Sequence, residues 1–293
     1  MAKRTSGQKT FAVFNTIFLL GLCFIFVIPI WHVAMGSISD PLKLSASTGL
    51  FFLPKGKMTL GGYRLVMQNP TILRSYVNTF IYVFCSTLFG TLLNILAAYV
   101  TSRKDLRYKS PIVFMIAFTM IFQGGLIPNY MLVKNLGWLN TRWALIIPGA
   151  IWAYNVIIMR TSFQAIPDGP CEAALIDGAG HFRILTSIVL PVSKSIVAVV
   201  ALFYGIQHWN AWFNAAIYLK DRELFPLQLT LREIVLLSTE QSIIADADGQ
   251  DVMIYRPLIT YATIMVSVIP MMLVYPFVQK YFVTGVMIGS IKG

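Results

Sequence analysis

The 293-residue chain predicts an all-α fold, a polytopic membrane protein with six transmembrane helices. Three observations carry this. Hydrophobic residues make up 57% of the chain and charged residues only 12%, an apolar share above that of soluble domains. Six stretches run for about twenty residues with hardly a charge, the length that about 30 Å of hydrocarbon requires at 1.5 Å per residue. Between them lie compact basic segments such as RKDLRYK at 103–109.

The expected spans are Phe11–Met35, Ser75–Thr101, Pro111–Val133, Trp143–Met159, Ser195–Tyr218 and Leu258–Gln279. Lys3, Arg4 and Lys9 precede the first, as they would in a secretory leader. Its apolar run of about twenty-five residues exceeds the 7–15 of a signal core, which predicts an uncleaved helix. Residues 1–74 then form an N-terminal cytoplasmic tail, the first helix and an external loop, and residues 75–285 a five-helix core. The density of cations in RKDLRYK places that loop, and with it both termini, on the cytoplasmic side. The Leu219–Arg256 loop is expected outside.

Cys23, Cys85 and Cys171 have neither metal-ligand spacing nor the pattern of a disulfide framework, and read as packing residues. The net charge of +11 flanks membrane helices, where it meets the head groups of the lipid bilayer. No contiguous soluble basic surface suits a nucleic acid. No GxxxxGK phosphate loop, HExxH pair or nucleophile-base-acid set is present, so the chain is predicted not to be an enzyme.

One cytoplasmic loop departs from the greasy pattern: Glu172–Pro191, EAALIDGAGHFRILTSIVLP. Asp168 is placed to cap a short helix and Pro170 suits its first turn. Glu172 follows in that turn, where a carboxylate favours the positive end of the helix dipole. Gly178 and Gly180 stop the helix, and the chain returns to the membrane at Leu190 and Pro191. Residues 168–183 are therefore expected to lie along the cytoplasmic surface and to dock another protein.

The spacing of Glu172, Ala173, Ala174, Gly178, Ile188, Leu190 and Pro191, with Asp177 and Ala179 completing IDGA, resembles the EAA signature of permease subunits of bacterial ATP-binding-cassette importers. GLIPNYMLVKNLGWLNTRWALIIP at 125–148 and Trp209, Asn210 and Phe213 resemble the carbohydrate-uptake, maltose-permease-like branch, including importers of acidic glycans such as alginate oligosaccharides. Ser195 departs from the proline common at that position. The resemblance implies a type I importer permease fold whose first helix wraps around the neighbouring subunit. It also implies a second homologous permease, two ATPase subunits that bind ATP and Mg, and an extracytoplasmic solute-binding protein. No cofactor is expected in this chain. Glu172 would meet a basic residue of the ATPase, and Gly178 would mark a turn too tight for a larger side chain.

Polar and aromatic side chains within apolar helices face a bundle interior or a cavity, because lipid penalises them. The candidates for a substrate path are Asn78, Asn94, Gln123, Trp152, Tyr154, Asn155, Gln207, His208, Trp209 and Asn210. Aromatic faces with side-chain amides suit sugar rings and hydroxyls, but the same residues also bond helices to one another. His208 lacks the ionisable neighbours of a proton relay. Asp246–Asp251, DADGQD, misses the EF-hand spacing and reads as a solvated acidic loop or a contact for the binding protein, so no metal site is expected. The alternative function, a secondary carrier for a small polar solute, calls for an inverted repeat that the sequence does not display.

Overall fold

The computed structural model describes residues 5–236 and 249–290, and every regular element among them is helical. In chain order these are α1 (Ser6–Ser37), α2 (Pro41–Ser45), α3 (Gly61–Gln68), α4 (Pro70–Ser102), α5 (Lys109–Ile121), α6 (Leu126–Asn135), α7 (Trp143–Ile146), α8 (Ala153–Gln164), α9 (Gly169–Ile176) and α10 (His181–Ile184). A π-helical turn, Leu185–Val189, leads through α11 (Leu190–Val192) to α12 (Lys194–Trp209) and α13 (Phe213–Tyr218). A 3-10 turn at Arg222–Leu224, α14 (Leu227–Leu236) and α15 (Gly249–Ser290) complete the order. The described residues cluster into two compact units, one within Met1–Pro70 and Glu233–Pro270, the other within Thr71–Arg232 and Met271–Gly293.

In the first unit, α1 exposes an almost unbroken apolar surface, including Phe11, Phe14, Ile17, Phe24 and Phe26. Its far end joins a small core of Leu44, Phe51 and Leu258 flanked by Met35 and Tyr261. Asp40 caps α2 by accepting from the N–H groups of Leu42 and Lys43, with Pro41 in the first turn.

In the second unit, α4 shows why a membrane helix reads inside out. Ser75, Thr79, Tyr82, Ser86, Gly90, Asn94 and Ala98 are buried at steps of three or four, one stripe of a helix with 3.6 residues per turn. Val77, Phe80, Phe84, Leu88, Leu92 and Leu96 are exposed between them. Without a hydrophobic drive between helices in lipid, small and polar residues make the helix contacts and the large apolar ones meet acyl chains.

Three helical stretches are long and apolar enough to cross a membrane unaided: Gly7–Ser37, Pro70–Ser102 and Ile254–Pro276. The other three expected spans are interrupted. The third is α5 and α6 bent by 112°, because the chain between them carries Gly124 and Gly125, the latter at φ +82°. The fourth is split into α7 and α8 by residues 147–152, where Pro148 and Gly149 end the first turn; α8 with its 12 residues covers only about 18 Å. The fifth stops at Trp209 and resumes at Phe213, and the stretch before it, His181–Val192, meets α12 at 87°. Counting each bent pair as one span gives five among the described residues.

The backbone groups released by these breaks are satisfied by side chains. The Tyr204 hydroxyl donates to the Ala150 carbonyl (3.0 Å) and accepts from the Trp152 N–H (3.0 Å) and from Asn94 Nδ2 (2.6 Å). One phenol thus joins α4, α12 and the 147–152 break, which is the condition for irregular backbone at membrane depth.

Candidate functional site

The semi-polar loop forms a two-turn helix, α9, followed by a sharp reversal. Pro170 sits in the first turn as expected, but Asp168 does not cap it: its backbone is helical and its side chain makes no cap bond. The carboxylate instead pairs with the Lys104 ammonium, an exposed ion pair. That hydrogen bond and charge hold Asp168 below the usual carboxylate pKa and Lys104 above the usual lysine value. The Asp168 contribution is therefore present above the ordinary carboxylate pKa and fades as pH falls through its depressed value.

The C-terminus of α9 is a Schellman motif. Ala179 N–H bonds the Ala174 carbonyl (2.8 Å), Gly178 N–H bonds the Leu175 carbonyl (3.0 Å), and Gly178 takes φ +79°. A Cβ added at Gly178 would meet nothing within 4 Å. Among the described residues nothing crowds this turn, and its left-handed backbone by itself favours glycine.

Two faces of the motif separate. Cys171 is buried, and Ala174, Ala179, Ile188 and Leu190 pack with it against Ala98, Tyr99, Met159 and Phe163. Glu172, Ala173, Asp177, Gly178 and Pro191 are exposed. Pro191 directly follows the π turn, closed by Leu190 N–H to the Leu185 carbonyl. The widened turn accommodates a residue whose ring would clash with the carbonyl four positions back.

Sequence reasoning missed the apolar part of the exposed surface. Ile176 and Phe182 are 87% and 75% exposed, large side chains that water disfavours on a polar loop. The signal was available: Ile176 lies four residues after Glu172, on the same helix face. Beside α9 opens a cleft of about 300 Å³ lined by Arg103, Lys104, Asp168, Cys171, Glu172 and His181 among others. Its basic wall comes from the cation-rich segment after α4.

The substrate-path candidates divide by burial. Asn78 is buried, donating to the Glu223 (2.7 Å) and Phe225 (3.2 Å) carbonyls and accepting from Arg142 (3.2 Å). It clamps the 219–226 loop to α4, a clamp to which Tyr82 adds a bond to the Leu224 carbonyl (2.8 Å) and Thr79 accepts one from the Leu227 N–H (2.8 Å). Asn94 serves the Tyr204 junction described above. Asn155 is fully buried. Trp209 is 5% exposed and packs edge-on against Phe80 at 5.7 Å and Tyr76 at 6.5 Å. His208 is buried and stacked with Tyr204 at 6.3 Å. Gln123, Trp152, Tyr154, Gln207 and Asn210 are exposed. Trp152 and Tyr154 lie 5.9 Å apart at the start of α8, while Asn210 bonds back to the Ile206 carbonyl. Gln207 and His208 border a cavity of about 60 Å³ shared with Tyr82, Pro148 and Asn214.

The Asp246–Asp251 stretch lies outside the residues whose side chains are described. Among the described residues no group of His, Cys, Asp and Glu could hold a metal ion.

The described residues thus form a helical membrane chain with broken spans and a short helix that buries one face and exposes the other. Residues 107–288 match the family model for the inner membrane component of binding-protein-dependent transport systems, and the chain belongs to that family. It is 37% identical over 94% of its length to the polygalacturonan/rhamnogalacturonan transport system permease protein YtcP of Bacillus subtilis, covering 96% of that protein. It is 35% identical to the Bacillus subtilis protein LplC, over 99% of this chain and 97% of that one. The solved structure of a bacterial ABC transporter involved in the import of the acidic polysaccharide alginate superposes with a TM-score of 0.85 at 28% identity, covering 96% of this chain and 100% of its counterpart. A bacterial alginate ABC transporter in complex with an alginate pentasaccharide-bound periplasmic protein shares the fold, with a TM-score of 0.58 at 15% identity over 94% and 96% of the two chains. The protein is therefore a multi-pass inner membrane permease component of an ATP-binding-cassette importer, and the family role is non-catalytic.

Proposed function

We propose that the chain is one of two homologous pore subunits of an importer that moves an oligosaccharide, of the acidic polysaccharide class, into the cytoplasm. The observation that carries this is α9: a helix anchored inward by Cys171 and Ala174, which leaves Glu172, Ala173 and Gly178 displayed. It sits on a chain that resembles polygalacturonan and alginate permeases over almost its whole length. Two partner ATPases bind ATP and Mg, and one of them docks on this helix. An extracytoplasmic solute-binding protein delivers substrate on the far side. Residues 75–285 supply the permease core, and residues 1–74 the tail, first span and outer loop. Gln123, Trp152, Tyr154, Gln207 and Asn210, the exposed members of the polar set, are the ones available to a passing glycan.

Reconstituting the complex with its binding protein in vesicles and screening glycans for stimulated ATP hydrolysis tests the assignment. Uronate oligosaccharides are expected to stimulate; stimulation by no saccharide removes the sugar reading. The orientation has its own test. With both termini cytoplasmic, a cysteine introduced at Asp248 is labelled by an impermeant reagent in intact cells and one at Lys104 is not, and the reverse pattern overturns the topology.

A further inference from the structure

The segment joining α1 to α3 is a folded cap. Asp40 N–H bonds the Lys55 carbonyl (2.8 Å), Lys55 N–H bonds Ser39 Oγ (2.9 Å), and Thr59 N–H bonds the Ile38 carbonyl (2.9 Å). From there the chain doubles back along α1. Trp31 Nε1 donates to the Phe52 carbonyl at 2.9 Å, and Phe51 N–H donates to His32 Nδ1 at 3.4 Å, the two rings 4.2 Å apart.

This fold-back fixes a depth. Trp31 precedes Ser37, the last residue of α1, by a rise of about 9 Å, so Phe52 lies about that far below the helix end. The apolar helix Gly7–Ser37 has 31 residues and spans about 46 Å. A hydrocarbon layer of about 30 Å leaves about 8 Å of a centred helix within each head-group layer. Phe52 is therefore level with the boundary between head groups and acyl chains.

At that level the fold-back displays apolar side chains. Leu50, Phe52 and Leu53 are 70%, 52% and 75% exposed and continue the surface of α1, whose span window has no buried residue. Toward the helix end stand Lys43, Lys55 and Lys57. Gly56, at φ +76°, lets the turn close over the Lys43 stem: a Cβ there would lie 2.8 Å from Lys43 Cδ. Lys55 Nζ lies 5.6 Å from the Phe51 ring centre. Apolar tips at the acyl boundary, three lysines beside the exposed Leu42, Met58 and Leu60 toward the helix end, and a tryptophan between them match the order of groups across a membrane interface.

We propose that residues 38–60 form an interfacial cap that seats Leu50, Phe52 and Leu53 at the acyl boundary and sets Lys43, Lys55 and Lys57 against the phosphates of anionic phospholipids. The test uses the whole transporter in nanodiscs of equal phosphatidylglycerol and phosphatidylcholine, with p-benzoylphenylalanine incorporated in place of Leu53. Illumination and mass analysis are expected to give lipid adducts. Phosphatidylglycerol should exceed phosphatidylcholine among them by about fivefold, the worth of roughly one lysine at a charged surface. The combined Lys43→Gln, Lys55→Gln, Lys57→Gln variant should keep the adduct and bring the ratio to one, while the three Lys→Arg changes preserve the excess. An adduct to a polypeptide, or none to lipid, overturns the proposal. So does a phosphatidylglycerol excess that survives loss of the three charges.

Discussion

Replacing Gly90 with valine is expected to lower the melting temperature of the purified permease by about 10 °C, the equivalent of roughly 3–5 kcal/mol in a chain of this size. A Cβ at position 90 would lie 2.8 Å and 2.9 Å from two ring carbons of Tyr204 and 3.1 Å from the Ala150 carbonyl. Overpacking alone costs about 1–3 kcal/mol. Relief by moving the ring is blocked, because its hydroxyl serves Asn94, Ala150 and Trp152 together. Leaving one such buried partner unpaired adds about 1–3 kcal/mol. Gly90→Ala, which brings one methyl to the same contact, should fall between valine and wild type. An unchanged melting curve for Gly90→Val would mean that the α4–α12 contact is loose enough to part, and that the Tyr204 junction does not set the helix spacing.

This junction shows where reading the sequence succeeded and where it stopped. The polar stripe of α4 was legible, since Asn78 and Asn94 inside an apolar run have to face other helices. Their roles were not. Whether a buried amide binds a passing solute or a neighbouring carbonyl depends on partners more than fifty residues away, such as Ala150 for Asn94 and Glu223 for Asn78. Hydropathy also counts residues without regard to continuity, so Pro111–Val133 passed as one span although Gly125 turns the chain through a positive φ inside it. The same blindness to direction explains Asp168, which has the right identity for a cap but spends its carboxylate on Lys104.

The EAALIDGAG loop was legible in more detail because its requirements are local. A Schellman turn needs a residue in the left-handed region at one fixed offset, and Gly178 occupies it. Small residues at Ala174 and Ala179 let the helix lie close on the core. What lay beyond the motif was the apolar pair Ile176 and Phe182, whose exposure follows from how α9 and α10 settle on Tyr99 and Phe163.

Gly178→Asp is accordingly expected to give an inserted permease with near-complete loss of transport and reduced association with its ATPase. The backbone is not the cause, since aspartate and asparagine tolerate the left-handed region better than other side chains, and a Cβ there finds open space. The charge is. It would stand beside Asp177 at the C-terminal end of α9, where a carboxylate opposes the helix dipole by about 0.3–1 kcal/mol. It would also add a charge to the exposed stretch that displays Glu172, so any basic groove shaped for that single acid receives a second one out of place. Like charge misplaced at an interface costs several kcal/mol, enough to abolish docking without unfolding the chain. Gly178→Asn isolates the effect, having the same shape and the same backbone tolerance with no charge. It should retain most uptake at normal expression, with ATPase co-purifying, while Gly178→Asp retains neither. Equal loss in both variants would assign the requirement to space in the docked complex. Wild-type uptake by Gly178→Asp would show that α9 does not couple ATP hydrolysis to transport.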